Sequence, residues 1–137
     1  MQLVVAYLAT GIVFLAIDAV WLSTMASRFY KPQLGDLMTD QANWPAAVLF
    51  YLLYVAGVVL FVVQPALASG RWTSALLMGA LFGLVAYGTY DLTNQATLRN
   101  WPALLTVVDL AWGTALTAVA ATAGFLITRM AAGWTSG

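Results

Sequence analysis

Residues Trp72 to Asn94 read WTSALLMGALFGLVAYGTYDLTN, and this stretch decides the fold. From Trp72 through Tyr90 it carries no charge, and at about 1.5 Å rise per residue that is enough helix to cross a ~30 Å hydrocarbon layer. A water-facing helix of this length would carry a polar stripe along its whole side. Here the middle is apolar, and Tyr87, Tyr90, Asp91, Thr93 and Asn94 cluster toward the far end. Working outward, comparable apolar runs extend from about Leu3 to Met25, from Trp44 to about Val63, and from Trp101 to about Thr128. The expected fold is therefore an all-α integral membrane protein with four transmembrane helices, about 3–25, 44–63, 72–94 and 101–128. Short connections make it an up-down antiparallel bundle, read as one domain over residues 1–137.

Composition agrees. Of 137 residues 63% are hydrophobic and 7% charged, and five acidic residues, all Asp, balance five Lys and Arg. No charged face exists to recruit nucleic acid, so the bilayer is the expected partner. With no Cys and no His, disulfides, thiolate or imidazole metal sites and His-ligated haem are excluded, and no cofactor is named. The first span has no basic residue ahead of it and includes Asp18 and Trp21, so it reads as a retained helix rather than a cleaved signal.

Two short echoes place these helices in depth. NWPA occurs at Asn43–Ala46 and at Asn100–Ala103, each time opening a span. Asn can cap exposed amides, Pro is tolerated in the first turn, and Trp suits the lipid–water boundary, so both mark one side of the membrane. Trp72 and Trp134 read as further boundary anchors. The second echo pairs DAVW at Asp18–Trp21 with DLAW at Asp109–Trp112, an Asp and a Trp on one helix face each time. Asp91 lies ten residues before Trp101 and Asp109 eight after it, which puts both about 12–15 Å from the same boundary. Asp18, Tyr51 and Tyr54 fall near that level, so all four helices contribute to one off-centre polar layer. Its members are Asp18, Trp21, Tyr51, Tyr54, Tyr87, Tyr90, Asp91, Thr93, Asn94, Asp109 and Trp112.

Helical phase supports the layer. Gly79, Gly83, Tyr87 and Asp91 repeat every four residues, as do Asp109, Gly113, Thr117 and Ala121. Antiparallel packing then sets Asp91 near Asp109, Tyr87 near Gly113, Gly83 near Thr117 and Gly79 near Ala121, large against small. None of Arg28, Lys31, Arg71, Arg99 and Arg129 lies within an apolar run. An isolated ionised carboxylate costs several kcal/mol in hydrocarbon, and carboxylates held together oppose each other's ionisation, so at least one of the three is expected to be neutral. If a metal binds, Asp18, Asp91 and Asp109 are its candidate ligands, and their oxygens suit a hard cation. The segment from Ala26 to Asn43 is long enough to cap a pocket but reads as a solvated connector. Three basic residues lie on its side of the membrane and two on the other, a slight lean toward the layer being cytoplasmic.

The combination of DAVWL in the first helix, YGTYDLTN closing the third, NWP opening the fourth and DLAWG within it resembles the family of small bacterial four-helix inner-membrane proteins called domain of unknown function 2177. The resemblance covers nearly the whole chain. It implies a multi-pass protein of the inner (plasma) membrane and supports Asp18, Trp21, Tyr90, Asp91, Thr93, Asn94, Trp101, Asp109 and Trp112 as the positions of interest, but supplies no reaction. From the residues, the first functional expectation is a binding or transport site for a cation, proton or small amphiphile, in a homo-oligomer or a larger assembly. An accessory subunit of a membrane complex is the second. A lipid- or isoprenoid-modifying enzyme is the third, and no catalytic residue is singled out.

Overall fold

The computed structural model of the chain describes residues 1–136, with side chains through Gly133. Among these residues all regular structure is helical, in four long segments: α1 Gln2–Leu37, α2 Trp44–Ser69, α3 Trp72–Thr97 and α4 Ala103–Ser136. Each contains an apolar stretch long enough to span a bilayer, so the chain is a multi-pass membrane protein whose environment is lipid. Successive helices are antiparallel. α4 is the hub, packing most extensively on α3 and next on α1. Trp134, expected as a boundary anchor, lies outside the described side chains.

The outer surface is what lipid requires. Leu3, Ile12, Val20, Leu53, Leu77, Val85 and Val107 are all exposed, the reverse of a water-soluble surface. Four threonines satisfy their hydroxyls inside their own helices: those of Thr89, Thr114, Thr122 and Thr128 each donate to the backbone carbonyl four residues earlier. That removes the need for water as a partner.

α1 and α2 both run further than the apolar pattern suggests, and for the same reason. Each meets a proline, Pro32 or Pro65, and just before it the helix widens into one π-turn, Ala26–Tyr30 and Val59–Val63. Proline lacks an N–H and its ring crowds the carbonyl four residues back; a wider turn shifts that carbonyl aside and lets the helix continue. The presumed connector after Met25 is thus helical as far as Leu37, a correction to the sequence reading. α2 ends at Gly70, where φ is 74° and the N–H groups of Gly70 and Arg71 both bond the Ala66 carbonyl, at 2.8 and 3.3 Å. Glycine takes that left-handed conformation without a steric penalty.

The two NWPA segments do different work. Asn43 caps α2, its side chain accepting the Ala46 N–H at 3.2 Å. Asn100 instead takes φ 63°, because the chain must reverse between α3 and α4 within a few residues. α4 consequently starts at Ala103 rather than Trp101, and the Trp101 indole donates to Thr106 Oγ1 at 3.1 Å.

The α3/α4 seam has the register that the four-residue repeats imply. A Cβ added to Gly79 would meet Ala118 Cα, the Thr117 carbonyl and Ala121 Cβ, each at 3.1 Å. One added to Gly83 would sit 2.8 Å from Thr117 Oγ1 and collide with the Gly113 carbonyl, and one added to Gly113 would fall inside the Tyr87 ring. Glycine is required here by proximity: without a hydrophobic drive between helices in lipid, close backbone contact is what holds them.

Candidate functional site

Three helices converge on Asp18. Its Oδ2 accepts the Tyr51 hydroxyl of α2 at 2.6 Å and its Oδ1 accepts the Trp112 indole N–H of α4 at 3.2 Å. Toward the 26–43 end of the bundle, Asp109 Oδ1 accepts the Tyr30 hydroxyl at 2.7 Å, and Tyr30 in turn accepts the Trp21 indole N–H at 3.0 Å. The Trp21 and Trp112 rings stack between these clusters, 4.0 Å apart with planes 10° from parallel. The DAVW and DLAW segments are therefore cross-connected. The aspartate of each is tied to the tryptophan of the other, directly in one case and through Tyr30 in the other.

Antiparallel packing explains the exchange. When two helices run in opposite senses, an Asp one turn before a Trp on each sets Asp against Trp across the interface. Further inward, the Tyr54 hydroxyl and Thr117 Oγ1 are 2.8 Å apart, and the Tyr54 and Tyr87 rings meet edge to face at 6.1 Å.

These groups border a cavity of about 560 Å³. Asp18 and Asp109 are its charged residues, 6% and 8% exposed respectively. Tyr30, Tyr51, Tyr54, Tyr87, Tyr90, Phe50, Trp21 and Trp112 supply aromatic wall, and Leu34, Leu37 and Met38 from the end of α1 and the residue after it supply an aliphatic side. No Lys or Arg borders it. The volume lies within the roughly 300–1,000 Å³ range of small-molecule sites.

The remaining expected members of the layer fall elsewhere. Thr93 is exposed on α3 and returns its hydroxyl to the carbonyls of Thr89 and Tyr90. Asn94 is half-buried, and neither borders the cavity. Asp91 is fully buried in the α3/α4 seam, where no amide, hydroxyl or indole donor reaches it and its side-chain partner is the Asp109 carboxyl. Among the described residues no three Asp, Glu, His or Cys side chains form a group able to hold a metal ion. Asp18, Asp91 and Asp109 thus share a level of the bundle without converging on a point.

The pairing of Asp91 with Asp109 has a testable result. Removing one member of a buried hydrogen-bonded pair strands the other and costs about 1–3 kcal/mol, whereas an amide in its place can still donate to the facing carboxyl. Asp91→Asn is accordingly expected to leave the unfolding midpoint of the purified protein unchanged, and Asp91→Ala to lower it. Wild-type stability of the alanine variant would show that Asp91 has no partner in the seam.

Tyr30 is the site residue that the apolar pattern did not reveal. It lies past the first apolar run in RFYKP, and only the π-turn ahead of Pro32 carries its hydroxyl back to Asp109. The tyrosine two residues before a proline was the available signal.

Fold and site together define a four-helix membrane bundle with a carboxylate- and aromatic-lined cavity inside one end. The chain belongs to the family described as "Predicted membrane protein (DUF2177)", whose profile matches residues 3–126 and so takes in every residue of the polar layer. No curated protein and no solved structure matches the chain.

Proposed function

We propose that the cavity is a ligand site, and that the protein binds or transports a small amphiphile or cation within the membrane. The observation that carries this reading is the cavity itself. A bundle that needed only helix adhesion would close on its polar groups, as the Gly83 and Gly113 seam closes. Here two carboxylates and a set of aromatic rings from different helices surround about 560 Å³ of space instead. A cleft of this size left between helices, mostly apolar with a few convergent polar groups, is the form that small-molecule sites take. Residence in the inner (plasma) membrane, a single-domain organisation over residues 1–137 and assembly into a homo-oligomer belong to the same proposal. The resemblance of the DAVWL, YGTYDLTN and DLAWG segments and the near-even split of basic residues favour it.

Native mass spectrometry of protein extracted with its surrounding lipid tests the proposal, comparing wild type with an Asp18→Asn, Asp109→Asn double variant. A small molecule retained by wild type and lost from an intact variant is the expected result. A stable assembly with other subunits, free of small molecules and indifferent to the substitutions, would replace the ligand site with an accessory role.

A further inference from the structure

The chemistry of the cavity wall selects a ligand by sign. Its charged side chains are Asp18 and Asp109, and no basic residue borders it. An anionic head would meet two carboxylates in a setting where little solvent screens them. Hydrogen-bond capacity points the same way. The Tyr51 hydroxyl and Trp112 indole are committed to Asp18, the Tyr30 hydroxyl to Asp109, the Trp21 indole to Tyr30, and Tyr54 is paired with Thr117. Of the aromatic donors bordering the space, this leaves the hydroxyls of Tyr87 and Tyr90, each able to accept as well as donate. What the wall offers is lone pairs and ring faces. A phosphate, carboxylate or carbonyl head needs donors and would find few; a cation needs acceptors and π-faces and would find many.

The kind of cation follows from the same inventory. A hard metal ion stripped of water needs about six or more oxygens closing on one point, and the aspartates do not converge in that way. Both oxygens of Asp18 already accept a hydrogen bond from an aromatic donor on another helix, whereas Asp109 accepts one from Tyr30 and otherwise faces only the Asp91 carboxyl. The stacked Trp21 and Trp112 lie beside Asp109, and aromatic faces next to a carboxylate suit a large, weakly hydrated charge. The aliphatic side from Leu34, Leu37 and Met38 adds room for an apolar body.

We infer that the cavity takes a monovalent organic cation, an ammonium- or phosphonium-type head on an apolar body, with Asp109 as its counter-ion and the Trp and Tyr rings as its walls. This rests on the reading of the cavity as a ligand site. Asp18 is a positioning residue, holding Tyr51 and Trp112 in place and adding negative charge.

The test uses two probes of the same shape and opposite sign, tetraphenylphosphonium and tetraphenylborate. Binding is measured by calorimetry to the full chain in zwitterionic lipid nanodiscs, with empty nanodiscs subtracted. Saturable binding of tetraphenylphosphonium, no protein-dependent binding of tetraphenylborate, and a loss of about tenfold or more in phosphonium affinity for Asp109→Asn is the expected result. Should Asp109→Asn fail to fold, the contrast between the two probes on wild type decides alone. Equal binding of both probes, or binding of the borate only, overturns the cation inference while leaving an amphiphile site intact. Binding of neither overturns the ligand-site reading as well.

Discussion

Gly113→Ala is expected to destabilise the bundle, although the same change in an open helix would stabilise it. Alanine gains about 1 kcal/mol over glycine in a helix interior. Against this, the new methyl group would occupy the space of the Tyr87 ring next to its attachment point, at Cγ and both Cδ atoms. A ring gripped there cannot yield by bending its far end. It must leave its rotamer, and Tyr54 already packs against it. Forced overpacking of this kind typically costs about 1–3 kcal/mol, and more where backbone must move. The clash therefore outweighs the propensity gain.

Unfolding of the purified protein by sodium dodecyl sulfate in mixed micelles, followed by circular dichroism, reads the effect. Gly88→Ala on the facing helix serves as the control. Its added methyl meets Leu110 and Leu92 side chains at 3.4 and 3.7 Å, ordinary contact distances, so it should be neutral or stabilising by up to about 1 kcal/mol. In a Tyr87→Ala background Gly113→Ala should cost nothing further, the signature of two residues that meet. Wild-type stability for Gly113→Ala would mean that Tyr87 is not seated on Gly113.

The second large effect falls on Asp18. Asp18→Ala strands two donors, the Tyr51 hydroxyl and the Trp112 indole N–H. A buried donor left without an acceptor costs about 1–3 kcal/mol, so with two of them stranded a loss of about 2 kcal/mol or more is expected. Asp18→Asn keeps an acceptor oxygen and loses the charge that strengthens the bonds, so a loss of about 1 kcal/mol is expected. The Trp21 and Trp112 stack should loosen in the alanine variant, and tryptophan fluorescence reports that independently of unfolding. Equal stability of wild type, Asn and Ala variants would remove Asp18 as the junction of α1, α2 and α4.

These predictions separate adhesion from recognition. The α3/α4 seam is adhesive: small residues, short separations and no space between backbones. Asp18 joins three helices, and the same bonds shape the wall of the proposed ligand site. In the proposed ligand site Asp109 serves the ligand more than the helices, with Tyr30 holding it on one side and Asp91 facing it within the seam. The family to which the chain belongs spans all three regions.

Much of this architecture is written locally. The uncharged run from Trp72 to Tyr90 specifies a membrane helix because hydrocarbon demands it of any segment of that length and composition. The four-residue spacing of Gly79, Gly83 and Tyr87 against Gly113, Thr117 and Ala121 specifies the seam, because helical phase is a property of one chain segment and antiparallel packing adds only one choice of offset. The common level expected for Asp91 and Asp109 came from counting residues outward from Trp101.

What sequence alone left open depends on how separate segments meet. Asn43 and Asn100 sit in identical tetrapeptides, yet only one caps a helix, because the other must turn the chain. Thr93 and Asn94 belong to the polar segment by adjacency but face away from the cavity by rotation. Asp91 faces Asp109 inside the seam and stays out of the cavity that Asp109 borders. Tyr30 reaches Asp109 across 79 positions of sequence because a π-turn before Pro32 continues α1 where an apolar-run count stops. Hydropathy and period are sums over neighbours and can be read from the chain in order. A hydrogen bond or a cavity is a distance between side chains on different helices, fixed only when rotation, bulges and packing have all been resolved together.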